Sequence, residues 1–186
     1  TVSAWDILSG DAAPGRNVLI YDDAGDHAAL QAAEVIAKAG GQVEIVFPDR
    51  NVAPEVMSMN LVPYVRSLQK AGAVMTVTWR VREVLRDGNG LIARLGSDYG
   101  DAVQERRVDQ VVVNHGTRPL DDIYFGLKPG SLNKGAVDYA ALVTGAPQEI
   151  VTNASGGYTL YRIGDAVAAR NVHAAIHDAL RLMRLI

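Results

Sequence analysis

The sequence predicts an α/β protein: a parallel sheet with helices on both faces, interrupted by an antiparallel β-meander that serves as a crossover. Three observations predict it. Apolar β-branched runs alternate with helix-period stretches through the first half of the chain. From Val81 the pattern changes to paired strands around the turn Asp87-Gly88-Asn89-Gly90, and one more buried run, Gln110 to Asn114, follows the pairs.

The elements follow in order. Arg16 to Asp22 (RNVLIYD) reads as a buried strand, and His27 to Ala39 as a helix whose Gln31, Glu34 and Lys38 share one wet face. Gly40 and Gly41 end that helix. The next strand is Gln42 to Phe47, stopped by Pro48. A second helix covers Leu61 to Ala71, with Pro63 near its first turn, where a missing N–H costs little, and Gly72 behind it. Ala73 to Val77 is the third strand. The hairpin VREVLRD–GNG–LIARLG and a short strand at Glu105 to Val108 make the meander, and Gln110 to Asn114 closes a βαβαβ, meander, β order. Leu120 to Gly157 is turn-rich, with short helices expected at Asp121 to Phe125 and Val137 to Val143. Tyr158 to Ile163 (YTLYRI) reads as a strand, Gly164-Asp165 as a turn, and Asn171 to Ile186 as a helix. On that helix Val172, Ala175, Ile176, Ala179, Leu180 and Met183 fall in one arc, so it is expected to pack against a neighbour.

Composition bounds the function. The chain has 186 residues, 18 basic and 21 acidic, a net charge of −3, and is 48% hydrophobic. That suits one domain or slightly more. No clustered excess of Lys and Arg marks a nucleic-acid partner. Cysteine is absent, which removes disulfides, thiolate metal sites, iron–sulfur ligands and cysteine nucleophiles from these residues. The apolar stretches are too short to cross a bilayer, and Thr1 to Gly10 lacks a signal-peptide pattern. A cytoplasmic protein without a membrane partner is expected. The start at Thr1 suggests a processed chain or a piece of a longer one.

The candidate sites lie where strands end. In a dinucleotide-binding fold the first strand-to-helix turn holds pyrophosphate on glycines and a helix N-terminus. Here it reads Tyr21-Asp22-Asp23-Ala24-Gly25-Asp26-His27, with Gly25 alone left of the glycine pattern and three carboxylates near the phosphate position. Repulsion between unit charges a few Å apart is about 1–4 kcal/mol, so phosphate binding should be weakened. The same acids can instead cap the helix. Asp49 and Arg50 follow the second strand, near the position that contacts a ribose; a solvated loop is an equal reading. Asn114-His115-Gly116-Thr117-Arg118-Pro119 is a turn after a buried strand. At Gly164-Asp165 a carboxylate could accept from a sugar-like chain, or cap. His173 and His177 have i, i+4 spacing without a third metal ligand in view, and no catalytic residue or metal site is assigned.

Four segments carry a resemblance: SAWDILSG (Ser3 to Gly10), NVLIYDDAGDHAALQAAE (Asn17 to Glu34), VVVNHGTRP (Val111 to Pro119) and YRIGDAVAARNVHAAIHDALRL (Tyr161 to Leu182). Together they resemble the C-terminal region of the NADH:flavin oxidoreductase family that includes trimethylamine dehydrogenase, histamine dehydrogenase and 2,4-dienoyl-CoA reductase, nearest to amine or betaine demethylase-like members. The resemblance implies a Rossmann-like FAD/NAD(P)-binding domain type. It also implies a longer polypeptide with an FMN-bearing barrel and an iron–sulfur cluster, both outside these residues. Residues 1–15 would be a lead-in, 16–114 an NAD(P)-binding-like domain, and 115–186 a return segment completing an FAD- or ADP-binding domain.

By position, the resemblance places Gly164, Asp165 and the helix start at Asn171 near FAD or ADP, and Gly116 and Thr117 at the turn where the chain crosses back, with His115 replacing a small residue. Gly25 and Asp49 are the remaining cofactor-binding candidates. The acidic turn departs from the glycine-rich pattern of NADPH-using members and is similar to that of amine dehydrogenases, which pass electrons to an electron-transfer flavoprotein. The expected function is the nucleotide-binding portion of a multi-cofactor oxidoreductase, without bond-breaking chemistry of its own. The alternatives are a Rossmann-like module that has lost NAD(P)H binding and only supports the barrel or an electron-transfer partner, and an unrelated stand-alone binding protein.

Overall fold

The structure, a computed structural model, describes residues 1–184 and divides into two compact units, Thr1–Gly116 and the residues from Thr117 onward. The first unit runs β1 (Val2–Ser3), α1 (Ala4–Ser9), β2 (Asn17–Asp22), α2 (His27–Lys38), β3 (Gln42–Phe47), α3 (Ser58–Lys70), β4 (Val74–Val77), β5 (Arg80–Asp87), β6 (Gly90–Gly96), β7 (Val103–Val108) and β8 (Gln110–Asn114). Five strands form a parallel sheet in the order β1-β8-β2-β3-β4, and β5-β6-β7 form a separate antiparallel sheet. Ile20 of β2 pairs with Ile45 of β3 on one side and with Val112 of β8 on the other. The chain therefore leaves β2 in one direction and returns through β8 on the opposite side.

Strand β2 is apolar at every inner position because both faces of the sheet are covered. Val18, Ile20, Ile45, Phe47 and Val112 face the helices, where α2 contributes Ala29, Leu30, Ala33 and Ile36, and α3 contributes Leu68. Leu19, Tyr21, Val46 and Val111 face the other way, onto Ala93, Leu95 and Val108 of the meander. The predicted α/β class holds, with one correction: the second face is covered by the meander instead of by helices. The crossover from β4 to β8 contains only strand-period sequence, and its small and branched residues present a flat apolar surface to the sheet. Arg106 of β7 fastens this layer, its Nε donating to Glu44 Oε2 at 2.8 Å while Thr76 Oγ1 donates to Glu44 Oε1 at 2.8 Å.

Residues 1–15 are integral to this unit. Val2 and Ser3 pair with Val112 and Val113. Ser3 then caps α1 in a reciprocal box with Asp6, its Oγ accepting from the Asp6 N–H at 3.1 Å and its own N–H donating to Asp6 Oδ2 at 2.7 Å, which lowers the Asp6 pKa. Ala4 and Ile7 are buried. Helix α3 starts at Ser58, three residues before the expected Leu61. Pro63 therefore sits in its second turn and removes one helix hydrogen bond. Thr78, between β4 and β5, has φ 65°, an uncommon left-handed conformation for a β-branched residue. Two backbone bonds hold it there: Thr78 N–H to the Asp49 carbonyl at 3.0 Å, and Trp79 N–H to the Phe47 carbonyl at 3.1 Å.

The second unit contains α4 (Asp122–Leu127), α5 (Tyr139–Thr144), α6 (Val172–Met183) and 3₁₀ turns at Lys128–Gly130 and Gly164–Ala166. The strand expected at Tyr158 to Ile163 does not form. Tyr158 makes one isolated bridge to Ser131, and beyond it the chain is satisfied by a side chain: Asn133 Oδ1 accepts from Leu160 N–H at 3.0 Å, and Asn133 Nδ2 donates to the Leu160 carbonyl at 2.8 Å. One buried amide thus takes the place of a neighbouring strand. Helix α6 begins one residue after the expected Asn171, which caps it by accepting from Ala174 N–H at 2.9 Å; the expected end at Leu185 and Ile186 lies outside the described residues. Val172, Ile176, Leu180 and Met183 of its apolar arc are exposed, while Leu182 is buried.

Replacing Asn133 with Ala would leave both backbone groups of Leu160 without their partners, and because Leu160 is only partly buried the cost for each should lie at the low end of about 1–3 kcal/mol. Asn133→Ala is expected to lower the denaturation midpoint and to raise amide exchange at Leu160. Unchanged exchange there would show that Leu160 does not depend on Asn133.

Candidate functional site

In an open parallel sheet, ligands bind beyond the carboxyl ends of the strands where the connections diverge, here between β2 and β8. Asp22 ends β2 and Asn114 ends β8, and the two are paired in the sheet register. Both are buried, Asp22 completely. The residues that follow them, Asp23 to His27 and His115 to Gly116, build the rim.

The backbone donors of this turn are used internally. Asp23 and Ala24 N–H both donate to the Asn114 carbonyl, at 2.9 and 3.1 Å. Gly25 N–H donates to Asp22 Oδ1 at 2.9 Å, and Ala28 N–H, in the first turn of α2, donates to Asp26 Oδ1 at 2.9 Å. The Asn114 side chain closes the set: Nδ2 donates to Asp22 Oδ1 and to Asp26 Oδ1, each at 2.9 Å. A pyrophosphate needs free N–H groups and space above a glycine. Gly25 is left-handed, φ 69°, but a Cβ there would stand 2.7 Å from Pro54, so its cradle is filled by the protein. The residues of the turn do not fit a bound pyrophosphate: four of its donors already serve carboxylate or carbonyl oxygens.

Charge is arranged in the same way. Burial pushes the Asp22 carboxyl up to about 6, with the negative charge of Asp26 adding to the rise, against the hydrogen bonds from Gly25 and Asn114 and the nearby Ala24 N–H dipole, which lower it. Asp22 Oδ2 has no hydrogen-bond partner among the described residues. Asp23 is tied outward, to Arg80 NH1 at 3.0 Å and to His115 Nδ1 at 3.6 Å. The same Arg80 NH1 donates to Tyr21 Oη at 2.9 Å, and the Tyr21 ring meets the His115 ring edge-on with centroids 5.5 Å apart. Burial first, and Asp23 second, raise the Tyr21 phenol to about 12. Arg80 also reaches Asp98, Nε to Oδ2 at 3.2 Å.

Of the candidate residues, Gly25, Asp49 and Gly116 lie in the first unit and Thr117, Gly164, Asp165 and Asn171 in the second. Gly25 serves the turn. Asp49 is exposed and uses its carbonyl to hold Thr78. Gly116 is left-handed at φ 75°, which disfavours any side chain, although there is room for a Cβ, the nearest atom being Ala24 Cβ at 3.9 Å, while Thr117 is exposed. Gly164 is buried against α6, where a Cβ would meet that of Ala175 at 3.1 Å, and its N–H donates to Asp178 Oδ2 at 3.1 Å. Asp165 is exposed, with Oδ1 accepting from Arg170 N–H at 3.4 Å.

Sequence reasoning did not single out the Asn114 side chain, Arg80 or Tyr21. A polar residue ending the apolar run QVVVN was the available signal for Asn114. For Arg80, 57 residues from Asp23, there was none.

No family model matches the chain. It is 63% identical over 183 residues to a probable N-methylproline demethylase of Rhizobium meliloti (strain 1021), and 43% identical over 187 residues to an N,N-dimethylglycine/sarcosine dehydrogenase of Chromohalobacter salexigens. Each alignment takes in 98% of this chain and 27% of the relative, so the chain spans about a quarter of the length of these curated relatives. Among solved structures, histamine dehydrogenase from Rhizobium sp. 4-9 superposes with a TM-score of 0.69 at 18% identity, over 97% of this chain and 24% of that one. The resemblance drawn from the sequence holds: the chain aligns over nearly its whole length with about a quarter of a probable demethylase and of a dehydrogenase, and its fold is similar to the matching part of histamine dehydrogenase.

Gly25 combines a left-handed φ with contact against Pro54, so Gly25→Ala is expected to cost about 1–3 kcal/mol or more. The check is the denaturation midpoint against Gly116→Ala, which shares the left-handed backbone and lacks the contact. Equal losses in the two variants would show that Pro54 does not close the turn.

Proposed function

We propose that this chain is the nucleotide-domain portion of a flavin-dependent N-demethylating oxidoreductase, and that its first strand-to-helix turn is a built-in substitute for a pyridine-nucleotide site. The observation that carries the reading is the turn itself, where Asp22, Asp26 and the Asn114 carbonyl accept from Asp23, Ala24, Gly25 and Ala28 N–H. The names of the relatives support a secondary or tertiary N-methyl amino acid as substrate. Its oxidation would occur at FMN in a barrel outside these residues, aided by an iron–sulfur cluster there. Oxidative removal of an N-methyl group releases two electrons, and with the turn occupied these would leave to a protein acceptor such as an electron-transfer flavoprotein instead of NAD(P)⁺.

The second unit supports a separate role. Asp165 is exposed beside the N-terminus of α6, where Asn171 caps one amide, and we assign these two residues, with Gly164 as the close-packed turn that positions them, to FAD or ADP. Gly116 and Thr117 are assigned to the crossing of the chain toward that ligand. A flavin, when bound, supplies an electron-carrying ring; these residues would only hold the nucleotide. The exposed apolar arc of α6 is consistent with a pocket whose other half is contributed by the rest of the polypeptide.

The test is steady-state oxidation of N-methylproline and dimethylglycine by the intact polypeptide. Turnover is expected with an artificial electron acceptor and not with NAD⁺ or NADP⁺, and titration with NADH or NADPH should show no saturable binding up to millimolar concentration. Substrate-dependent reduction of NAD⁺ would overturn the reading of the turn, and the lack of any demethylation would overturn the assignment of the chain.

A further inference from the structure

The Asp22 carboxyl is isolated in an unusual way. Its side chain is fully buried at the point where β2, β8 and the start of α2 converge, and only one of its oxygens is used. Oδ1 accepts from Gly25 N–H and from Asn114 Nδ2, whereas Oδ2 has no partner among the described residues. Asn114 Nδ2 serves Asp26 Oδ1 as well, so a single neutral amide stands between two carboxylates. If both are ionised, two negative charges share one donor group and one of them has an unsolvated oxygen. A proton on Asp22 removes the buried charge without disturbing the acceptor on which Gly25 and Asn114 depend.

We propose that Asp22 is a proton-operated latch: neutral, it locks the Asp23–Asp26 turn onto the end of β8, and ionised, it lets that turn open. Opening would carry Asp22 into water and release the Gly25 N–H and the Asn114 side chain. The other charged or titratable groups around the latch are Tyr21 of β2, Asp23 and Asp26 of the turn, His27 of α2, His115 after β8, Arg80 of β5, and Glu55, whose N–H donates to the Gly25 carbonyl at 3.0 Å. Asp23 is engaged by Arg80 and His115, and His27 Nδ1 lies 3.3 Å from Tyr64 Oη. Asp26 is the neighbouring charge that acts on Asp22.

The sign follows from linkage. The carboxyl titrates near 6 when latched and near 3.8 when solvated. Stabilisation of the latched turn is therefore fully present below the solvated value and is lost as pH rises through 6. The opening equilibrium should increase by up to about a hundredfold between pH 4 and neutrality, the factor that a shift of this size sets. This holds whether or not any nucleotide binds, so it stands apart from the proposed function.

The experiment is amide hydrogen exchange at Gly25 and Ala28 in the intact polypeptide between pH 5 and 7.5, corrected for intrinsic rates and referenced to core amides of β3. Protection at these two amides is expected to fall by about tenfold across the range while the reference amides stay level. Asp22→Asn should flatten the dependence, and Asp26→Asn, which removes the neighbouring charge, should move it to lower pH. Flat protection in the parent protein, or an unchanged slope in Asp22→Asn, overturns the latch. Should Asp22→Asn fail to fold, the carboxyl ¹³C shift of Asp22 in the parent decides: a midpoint at or below 4 overturns it.

Discussion

The first unit depends on one requirement, that every backbone donor at the buried end of β2 find an acceptor. A strand covered on both faces ends inside the protein, away from water, and an unmet N–H there costs about as much as a lost hydrogen bond and its desolvation. Here the acceptors are the Asn114 carbonyl and the carboxylates of Asp22 and Asp26. The pairing of β2 with β8 fixes the turn because Asn114 reaches it from β8 with both its backbone and its side chain. That same pairing places Asp23 beside His115.

Electrostatics follows from this arrangement. Placing acids where a helix begins is favourable for Asp26, which is partly accessible and accepts from the helix. It is unfavourable for Asp22, which burial and Asp26 together disfavour as an anion. Asp23 escapes the conflict by turning to the rim, where Arg80 neutralises it. Arg80 can do so because Thr78 holds a left-handed backbone between β4 and β5, starting the meander at the edge of the crevice. A strained residue outside the crevice thus helps set its charge balance.

The second unit is built on different principles. It has little regular structure, and Asn133, Ser131 and the capped helices supply what a sheet would otherwise provide. Among the described residues its apolar side chains are not gathered into a closed core: Leu120, Ile123, Tyr139 and Val143 are exposed along with the arc of α6. The chain spans about a quarter of the length of its curated relatives, and such a surface is consistent with that.

The sequence by itself determined the alternation of strands and helices in the first unit, the hairpin at Asp87–Gly90, the helix that begins near Asn171 and the acidic character of the turn. Each of these depends on side chains near in sequence, where periodicity, turn chemistry and capping act. It also carried the resemblance, since four motifs in order survive as a pattern of letters. Tertiary structure alone decided which layer covers the second face of the sheet, why YTLYRI is not a strand, and what the three acids do. Those outcomes rest on partners far away in the chain: Asn114 is 92 residues from Asp22, Arg80 is 57 from Asp23, and Asn133 is 27 from Leu160. A carboxylate in a strand-to-helix turn can repel a phosphate, cap a helix or be buried. Only the position of its hydrogen-bond donors in space selects among the three.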